Sequence, residues 1–175
     1  FPLFAAMVAW HGLFNTRNPL RYARRILVIG LAAQLPYMLM PRASDAFLLN
    51  VCFTLALGLA GGAWWRTSLA RYRSGSLGSL QLGATAVGTL MLWYLLGPWV
   101  EYGHLGLLLI PTLMLGMHQL HGIGESLPER LRAAAFALPV LIVAGMMNSS
   151  DMAKSFTVAT CFVVLWLAAG AHRLT

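Results

Sequence analysis

The densest group of side chains that could bind a ligand is a run of arginines near the start of the chain. Arg17, Arg21, Arg24 and Arg25 fall within nine residues. A guanidinium can hold a phosphate through two hydrogen bonds, so the run predicts a site for a cofactor that carries several phosphates. The alternative is that these arginines orient a membrane helix and contact anionic lipid.

Three histidines offer further chemistry. A neutral imidazole accepts a proton from an amine or a hydroxyl near neutral pH, which makes His11 a candidate general base. The alternative for His11 is a hydrogen-bonded histidine of the core. His118 and His121 have a spacing that metal ligands use, but no third ligand lies nearby in the sequence, and we predict no metal site.

Uncharged polar residues also lie inside apolar segments. Asn50 and Thr54 are four residues apart and therefore share one face of a helix. Asn50 is a candidate site residue, and the alternative is a hydrogen bond between helices. Gln34 has the same two interpretations. No Asp, Glu, Lys or Arg lies deep in an apolar segment, which disfavours a transporter or a channel.

The composition shows which elements must position these residues. Of 175 residues, 59% are hydrophobic and only 10% are charged, and the mean hydropathy is +0.71. Soluble domains contain about 25% charged residues, so a water-soluble enzyme is excluded. The net charge of +7 could suggest nucleic acid as a partner, but too few polar residues remain to form such a surface. The sequence predicts a membrane protein.

Apolar runs bounded by charged or turn residues predict an all-α fold, a transmembrane bundle that forms one domain over residues 1–175. Seven spans are predicted: Phe1–Phe14, Ile26–Met40, Ala46–Trp65, Leu77–Gly97, Gly103–Leu120, Leu131–Met147 and Ala153–Ala171. The first would be about 21 Å long against a hydrocarbon core of about 30 Å. We therefore expect the sequence to begin inside a spanning helix and an eighth helix to precede it.

The distribution of basic residues predicts the orientation. Ten Lys and Arg residues fall in one set of alternating connections and two in the other. The positive-inside rule places the first set, and the C-terminus with it, in the cytoplasm. Gly58 and Gly62 form a pair of small residues that lets a neighbouring helix approach closely.

Several short motifs occur in an order that resembles the TraX family of conjugative-pilin acetylases. They are Phe1-Pro2-Leu3-Phe4-Ala5, Asn15-Thr16-Arg17-Asn18, Tyr22-Ala23-Arg24-Arg25, Gln34-Leu35-Pro36-Tyr37, Leu49-Asn50-Val51-Cys52-Phe53-Thr54 and Glu101-Tyr102-Gly103-His104-Leu105-Gly106. They cover about residues 1–110, and the last two helices match in hydropathy alone.

The resemblance implies a multi-pass enzyme of the bacterial inner membrane. Such an enzyme transfers acetyl from acetyl-CoA to the N-terminal amine of a processed pilin subunit. The arginines at 17, 21, 24 and 25 would then hold the phosphates of CoA. The resemblance also implies an Asp-His pair on a helix before Phe1, whose histidine would carry the acid–base role. His11 would then either substitute for that histidine as the base or only support it.

The resemblance further implies a path for the acyl group through the bundle, lined by Gln34, Asn50, Thr54 and Tyr102. Asn50 would donate a hydrogen bond to the thioester carbonyl as negative charge develops on it. Catalytic roles are therefore predicted for His11, Asn50 and Tyr102. The alternative function is a non-enzymatic assembly factor that docks pilin helices on the face of Gly58 and Gly62.

Overall fold

The computed structural model describes residues 1–40, 47–121, 127–147 and 150–170, and the regular elements in these ranges are helical. The all-α prediction is confirmed. The described ranges form seven α-helices: α1 (Pro2–Trp10), α2 (Pro19–Leu39), α3 (Val51–Arg73), α4 (Ser79–Leu96), α5 (Gly103–Leu120), α6 (Leu127–Met146) and α7 (Asp151–Gly170). A π-helical turn over His11–Asn15 follows α1, and a short 3₁₀ turn over Gly97–Trp99 follows α4.

The helix bounds match the predicted spans most closely at α5 and depart from them near the arginines. We predicted that Arg21 lies in a loop, but α2 already begins at Pro19. The side chain of Asn18 caps this helix, and proline fits the first helical position because its missing N–H needs no partner there. α3 continues to Arg73 instead of ending at Trp65.

The core is built around α5, which contacts α1, α3, α4, α6 and α7. Its residues Leu107, Leu109, Ile110 and Leu113 have no exposed surface. Helices in a membrane associate through close packing of their side chains rather than through removal of apolar surface from water. α5 therefore sets the positions of the helices around it.

The pair of glycines on α3 packs against α5. A Cβ at Gly58 would lie 2.8 Å from Cδ1 of Ile110, and a Cβ at Gly62 would lie 2.5 Å from Sδ of Met114 and 3.3 Å from Cα of Pro111. The packing role predicted for the glycines is confirmed. The same contacts contradict the idea that this face docks a pilin helix, because α5 already covers it.

Contacts along the helices show that α1, α3 and α5 run in the same direction. Phe1 stacks on Tyr102 just before α5, whereas Phe14 packs against His121 at the end of α5. α2 runs the opposite way, because its last half lies against the start of α3. We call the end with Arg17, Arg66 and Arg71 the basic end, and the end with Asn50 and Tyr102 the opposite end.

Large apolar side chains cover the outside of the helices. Leu80 is 86% exposed, Leu39 78% and Met152 74%. Within the described ranges, two helices are long and apolar enough to cross a membrane, over Ser79–Trp99 and Asp151–Ala169, and a shorter apolar helix covers Ala134–Met146. Soluble monomers rarely expose apolar patches of this extent, so the surface is compatible with a membrane location.

Candidate functional site

A π-helical turn places His11 at the end of α1. The amide of Thr16 donates a hydrogen bond to the carbonyl oxygen of His11 (3.1 Å), which closes the turn. Gly12 lets the turn approach α3, because a Cβ there would lie 2.5 Å from Cδ1 of Leu59. Turns of this type are frequent at functional sites, since the extra residue reorients the side chains around it.

His11 lines a largely apolar groove of about 440 Å³. The ring of Tyr22 packs against the imidazole, with the ring centroids 4.6 Å apart. No residue that the structure describes forms a hydrogen bond with the His11 ring, so both ring nitrogens are available to a ligand. We call this cavity the His11 groove, and its other lining residues are Leu3, Ala6, Met7, Trp10, Asn15, Val164 and Leu167.

The four arginines predicted to bind phosphates do not share one cavity. Arg21, Arg24 and Arg25 lie on exposed turns of α2. Arg17 lies in the connection before α2 and lines a different surface. Of the four, Arg17 is therefore the one that lines the cavity described next.

Arg17 meets two arginines of α3 in a cavity of about 370 Å³ at the basic end, with Arg66 and Arg71. We call this the basic cavity, and its other lining residues are Asn18, Pro19, Leu20, Ala63, Trp64, Thr67 and Ser68. Ser68 is only 7% exposed. Several guanidinium groups could hold one anion in this cavity.

Asn50 lies at the opposite end and joins α2 to α3. Its Oδ1 accepts a hydrogen bond from the amide of Cys52 (3.0 Å) and so caps α3. Its Nδ2 donates to the carbonyl oxygen of Gly30 (2.8 Å) and to Oε1 of Gln34 (3.1 Å). Gln34 in turn donates to the carbonyl oxygen of Leu48 (2.9 Å). Both amide donors of Asn50 thus already have acceptors, and its predicted role at the thioester carbonyl stays a prediction.

Tyr102 lies beside this network in a left-handed backbone conformation, with φ of 66°. Its ring stacks on Phe1 with the centroids 4.1 Å apart and is 46% exposed. Partial burial, with a smaller effect from the charge of Glu101, raises the pKa of the Tyr102 phenol, which favours its neutral form. The hydroxyl of Thr54 donates to the carbonyl oxygen of Glu101 and fixes this connection to α3.

His104 closes the end of α4. Pro98 has no N–H to donate to the carbonyl oxygen of Tyr94, four residues earlier in the helix. His104 Nε2 lies 2.9 Å from that oxygen and takes the place of the missing donor. Gly97 is required here, because a Cβ at this position would overlap the His104 ring.

The predicted catalytic residues fall into two places. Asn50 and Tyr102 share the opposite end, whereas His11 lies at the level of Leu59 on α3. The rise of a helix places Leu59 about 13 Å from Asn50 along the axis. The structure therefore does not bring His11 together with Asn50 and Tyr102. Among the described residues, no group of three or more His, Cys, Asp or Glu side chains could hold a metal.

The sequence interpretation missed the part that α3 contributes to the basic cavity. Trp64, Thr67, Ser68 and Arg71 follow the spacing of one helix face, which is the signal that could have revealed it. The predicted span ended at Trp65, so the residues after it were not assigned to a helix face. Tyr22, which packs on His11, was also missed.

Comparison with known proteins identifies a family. A family model described as "TraX protein" matches residues 1–174, essentially the whole chain. No curated protein and no solved structure matches the chain significantly.

Proposed function

The chain belongs to the TraX family, and from this premise we propose that it is a membrane-bound acetyltransferase acting on a conjugative pilin. Membership links the chain to pilin processing. The proposed donor is acetyl-CoA, and the proposed acceptor is the N-terminal amine of the pilin subunit. The family match over the whole chain is the observation that carries the proposal.

His11 is the proposed general base. A base must lie within reach of the proton that it takes, and the unbonded ring of His11 lines a groove large enough for a peptide end. The apolar walls of the groove suit the apolar segment of a membrane-embedded pilin. In the reaction the amine nitrogen attacks the thioester carbonyl, the C–S bond breaks, and the thiolate of CoA leaves. His11 takes the proton from the attacking nitrogen and returns it to the sulfur.

Tyr22 is proposed to assist in the same groove. Its ring packs on the imidazole and fixes the orientation of the ring. Its phenol is a hydrogen-bond donor that can face the negative charge on the thioester oxygen. Asn50 and Tyr102 are proposed to line the acyl path from the opposite end.

The His11 groove and the basic cavity are close neighbours. Asn15 lines the groove and Arg17 lines the cavity. One residue lies between them, so their Cα atoms are at most about 7 Å apart. A donor whose phosphates lie at the basic end could therefore place its acyl group near His11. This proximity supports the donor proposed above.

We also propose that the chain crosses the bacterial inner membrane seven times with the basic end in the cytoplasm. The alternating directions of α1, α2 and α3 agree with such a topology. The excess of basic residues in one set of connections favours the cytoplasm for that set, by the positive-inside rule. Acetyl-CoA is supplied from the cytoplasm, which agrees with the same orientation.

The test is acetyl transfer by the purified full chain in a lipid nanodisc, with acetyl-CoA and a peptide of the mature pilin N-terminus. His11→Ala should lower the rate by about 10²–10⁴-fold, the usual contribution of a general base, and added imidazole should restore part of it. His118→Ala is the matched control, because His118 is an exposed histidine outside the groove.

Two results would contradict the proposal. A His11→Ala variant with the full rate removes His11 as the base. Absence of transfer by the unaltered protein, with stable binding of pilin, would favour a non-enzymatic docking factor instead. Because α5 covers the face of Gly58 and Gly62, such a factor would have to use another surface.

A further inference from the structure

We infer that the basic cavity is a phosphate-binding site, and that it holds phosphate groups of a nucleotide. The identification of that nucleotide as the head of the acyl donor rests on the proposed function. The inference replaces the predicted set of four arginines with a different set. The new set consists of Arg17, Arg66 and Arg71, which line the cavity. Arg21, Arg24 and Arg25 are not part of it.

The first argument is electrostatic. Three guanidinium groups line one cavity of about 370 Å³, and they come from two separate segments of the chain. No carboxylate pairs with Arg17, Arg66 or Arg71 in the part of the chain that the structure describes. Like charges that converge without a counter-ion repel one another, so an anion in the cavity would lower the free energy of the folded state.

The second argument is a serine hydroxyl that no protein group occupies. Ser68 is 7% exposed and lines the cavity, and its hydroxyl forms no hydrogen bond with the described residues. No buried side-chain oxygen or nitrogen in the described residues lacks a partner, so this hydroxyl keeps contact with the open cavity. A phosphate oxygen among the arginines can accept its hydrogen bond.

The third argument is the direction of α2. Asn18, Pro19 and Leu20 line the cavity, so the N-terminus of this 21-residue helix opens into it. Pro19 has no N–H and the Arg21 N–H already donates to Oδ1 of Asn18, so this terminus favours an anion mainly through the positive end of the helix dipole. The helix end thus adds to the field of the arginines.

The residue at the rim points to a nucleotide. Trp64 lines the cavity and is 57% exposed, so one face of its indole ring is open to a ligand. Stacking of a base on an aromatic ring contributes about 1–3 kcal/mol. Anionic lipid headgroups share the phosphate chemistry but have no base to stack, and the experiment separates the two sources.

The experiment measures equilibrium binding of adenosine 3′,5′-bisphosphate, the nucleotide head of CoA, to the full chain in nanodiscs of zwitterionic lipid. Arg17→Gln/Arg66→Gln/Arg71→Gln should bind the probe at least about 100-fold more weakly, because several charge-assisted hydrogen bonds are lost. The matched control variant is Arg21→Gln/Arg24→Gln/Arg25→Gln, a triple substitution that removes the same charge from the same end. The control should bind within about threefold of the unaltered chain, because its arginines do not line the cavity.

Two single substitutions keep the test valid if the triple variant does not fold. Ser68→Ala should weaken the probe by about tenfold, and Trp64→Ala by about the same factor. Thermal unfolding of each variant without the probe serves as the check on folding. Unchanged affinity in both folded single variants would overturn the inference.

The remaining outcomes separate the sources of phosphate. Equal losses in the two triple variants would mean that only the general positive field binds the probe, and the site would be refuted. Phosphatidylglycerol that binds through the three cavity arginines, with bisphosphate binding unaffected by their removal, would assign the cavity to a lipid headgroup and overturn the nucleotide. Probe binding at the cavity without acetyl transfer to pilin would refute the proposed function and leave this inference standing. If the cavity triple variant transfers acetyl and binds the probe with full affinity, this inference is refuted and the proposed function stands.

Discussion

Replacing Asn50 with alanine should destabilise the chain more than replacing the other asparagine that caps a helix, Asn18. The Asn18 side chain is exposed and accepts one hydrogen bond, from an amide three residues later (3.0 Å). Asn50 is 4% exposed and accepts a similar cap bond. It also donates to Gly30 (2.8 Å) and to Gln34 (3.1 Å) across the interface of α2 and α3.

The magnitude follows from these bonds. Loss of an asparagine cap costs about 1 kcal/mol, which is the whole effect expected for Asn18→Ala. Each acceptor that loses its buried donor adds about 1–3 kcal/mol. The lower figure applies here, because Gln34 Oε1 keeps the hydrogen bond from the Asn50 amide (3.0 Å). Asn50→Ala should therefore cost about 3 kcal/mol.

The assay is reversible unfolding of the purified chain in mixed micelles, with the free energy of unfolding compared between variants. A double-mutant cycle of Asn50→Ala with Gln34→Ala should show a coupling of about 1 kcal/mol. Equal destabilisation by Asn18→Ala and Asn50→Ala would refute the reasoning. Acetyl transfer per folded molecule tests the predicted catalytic role separately, since a loss beyond the folded fraction requires that role.

Three further predictions concern the packing and the opposite end. Gly62→Ala should lower the free energy of unfolding by about 1–3 kcal/mol through overpacking. The control Gly88→Ala adds a Cβ in open space and should be neutral or stabilising by up to about 1 kcal/mol. Equal effects of the two substitutions in the same unfolding assay would contradict the packing account. His104→Ala should cost about 0.5–1.5 kcal/mol because the Tyr94 carbonyl loses its donor, and unchanged stability would show that this bond contributes nothing. The raised pKa of Tyr102 favours its protonated form in the folded chain, so this stabilisation is present below about pH 10 and is lost as the pH rises through the folded pKa. As the pH rises above 10, the melting temperature should fall less steeply for Tyr102→Phe than for the unaltered chain. Equal slopes for the two proteins would contradict the raised pKa of Tyr102.

The helical fold could be predicted from the sequence because apolar runs and their boundaries follow directly from hydropathy. α5 was predicted from Gly103 to Leu120 and is found there. The packing of Gly58 and Gly62 was also predictable, since two small residues one turn apart allow close approach of a neighbouring helix.

The basic cavity was missed because charged residues were taken as the ends of helices. Arg66 and Arg71 lie within α3, and Arg21 lies within α2, so hydropathy alone misplaces all three. Which arginines converge depends on how α2 and α3 cross, and that crossing is fixed by Asn50 and by other contacts between distant residues. Neither the π-helical turn nor the contact of Tyr22 with His11 has a local pattern that hydropathy detects.

The central claim is that this chain acetylates a pilin, and the most direct measurement is the intact mass of the cognate pilin from cells. Pilin from cells that produce the unaltered chain should carry the added mass of one acetyl group at its N-terminus, and pilin from cells that lack the chain should not. Cells with the His11→Ala variant should resemble the deletion, and cells with His118→Ala should resemble the unaltered strain. An identical pilin mass with and without the chain would contradict the account.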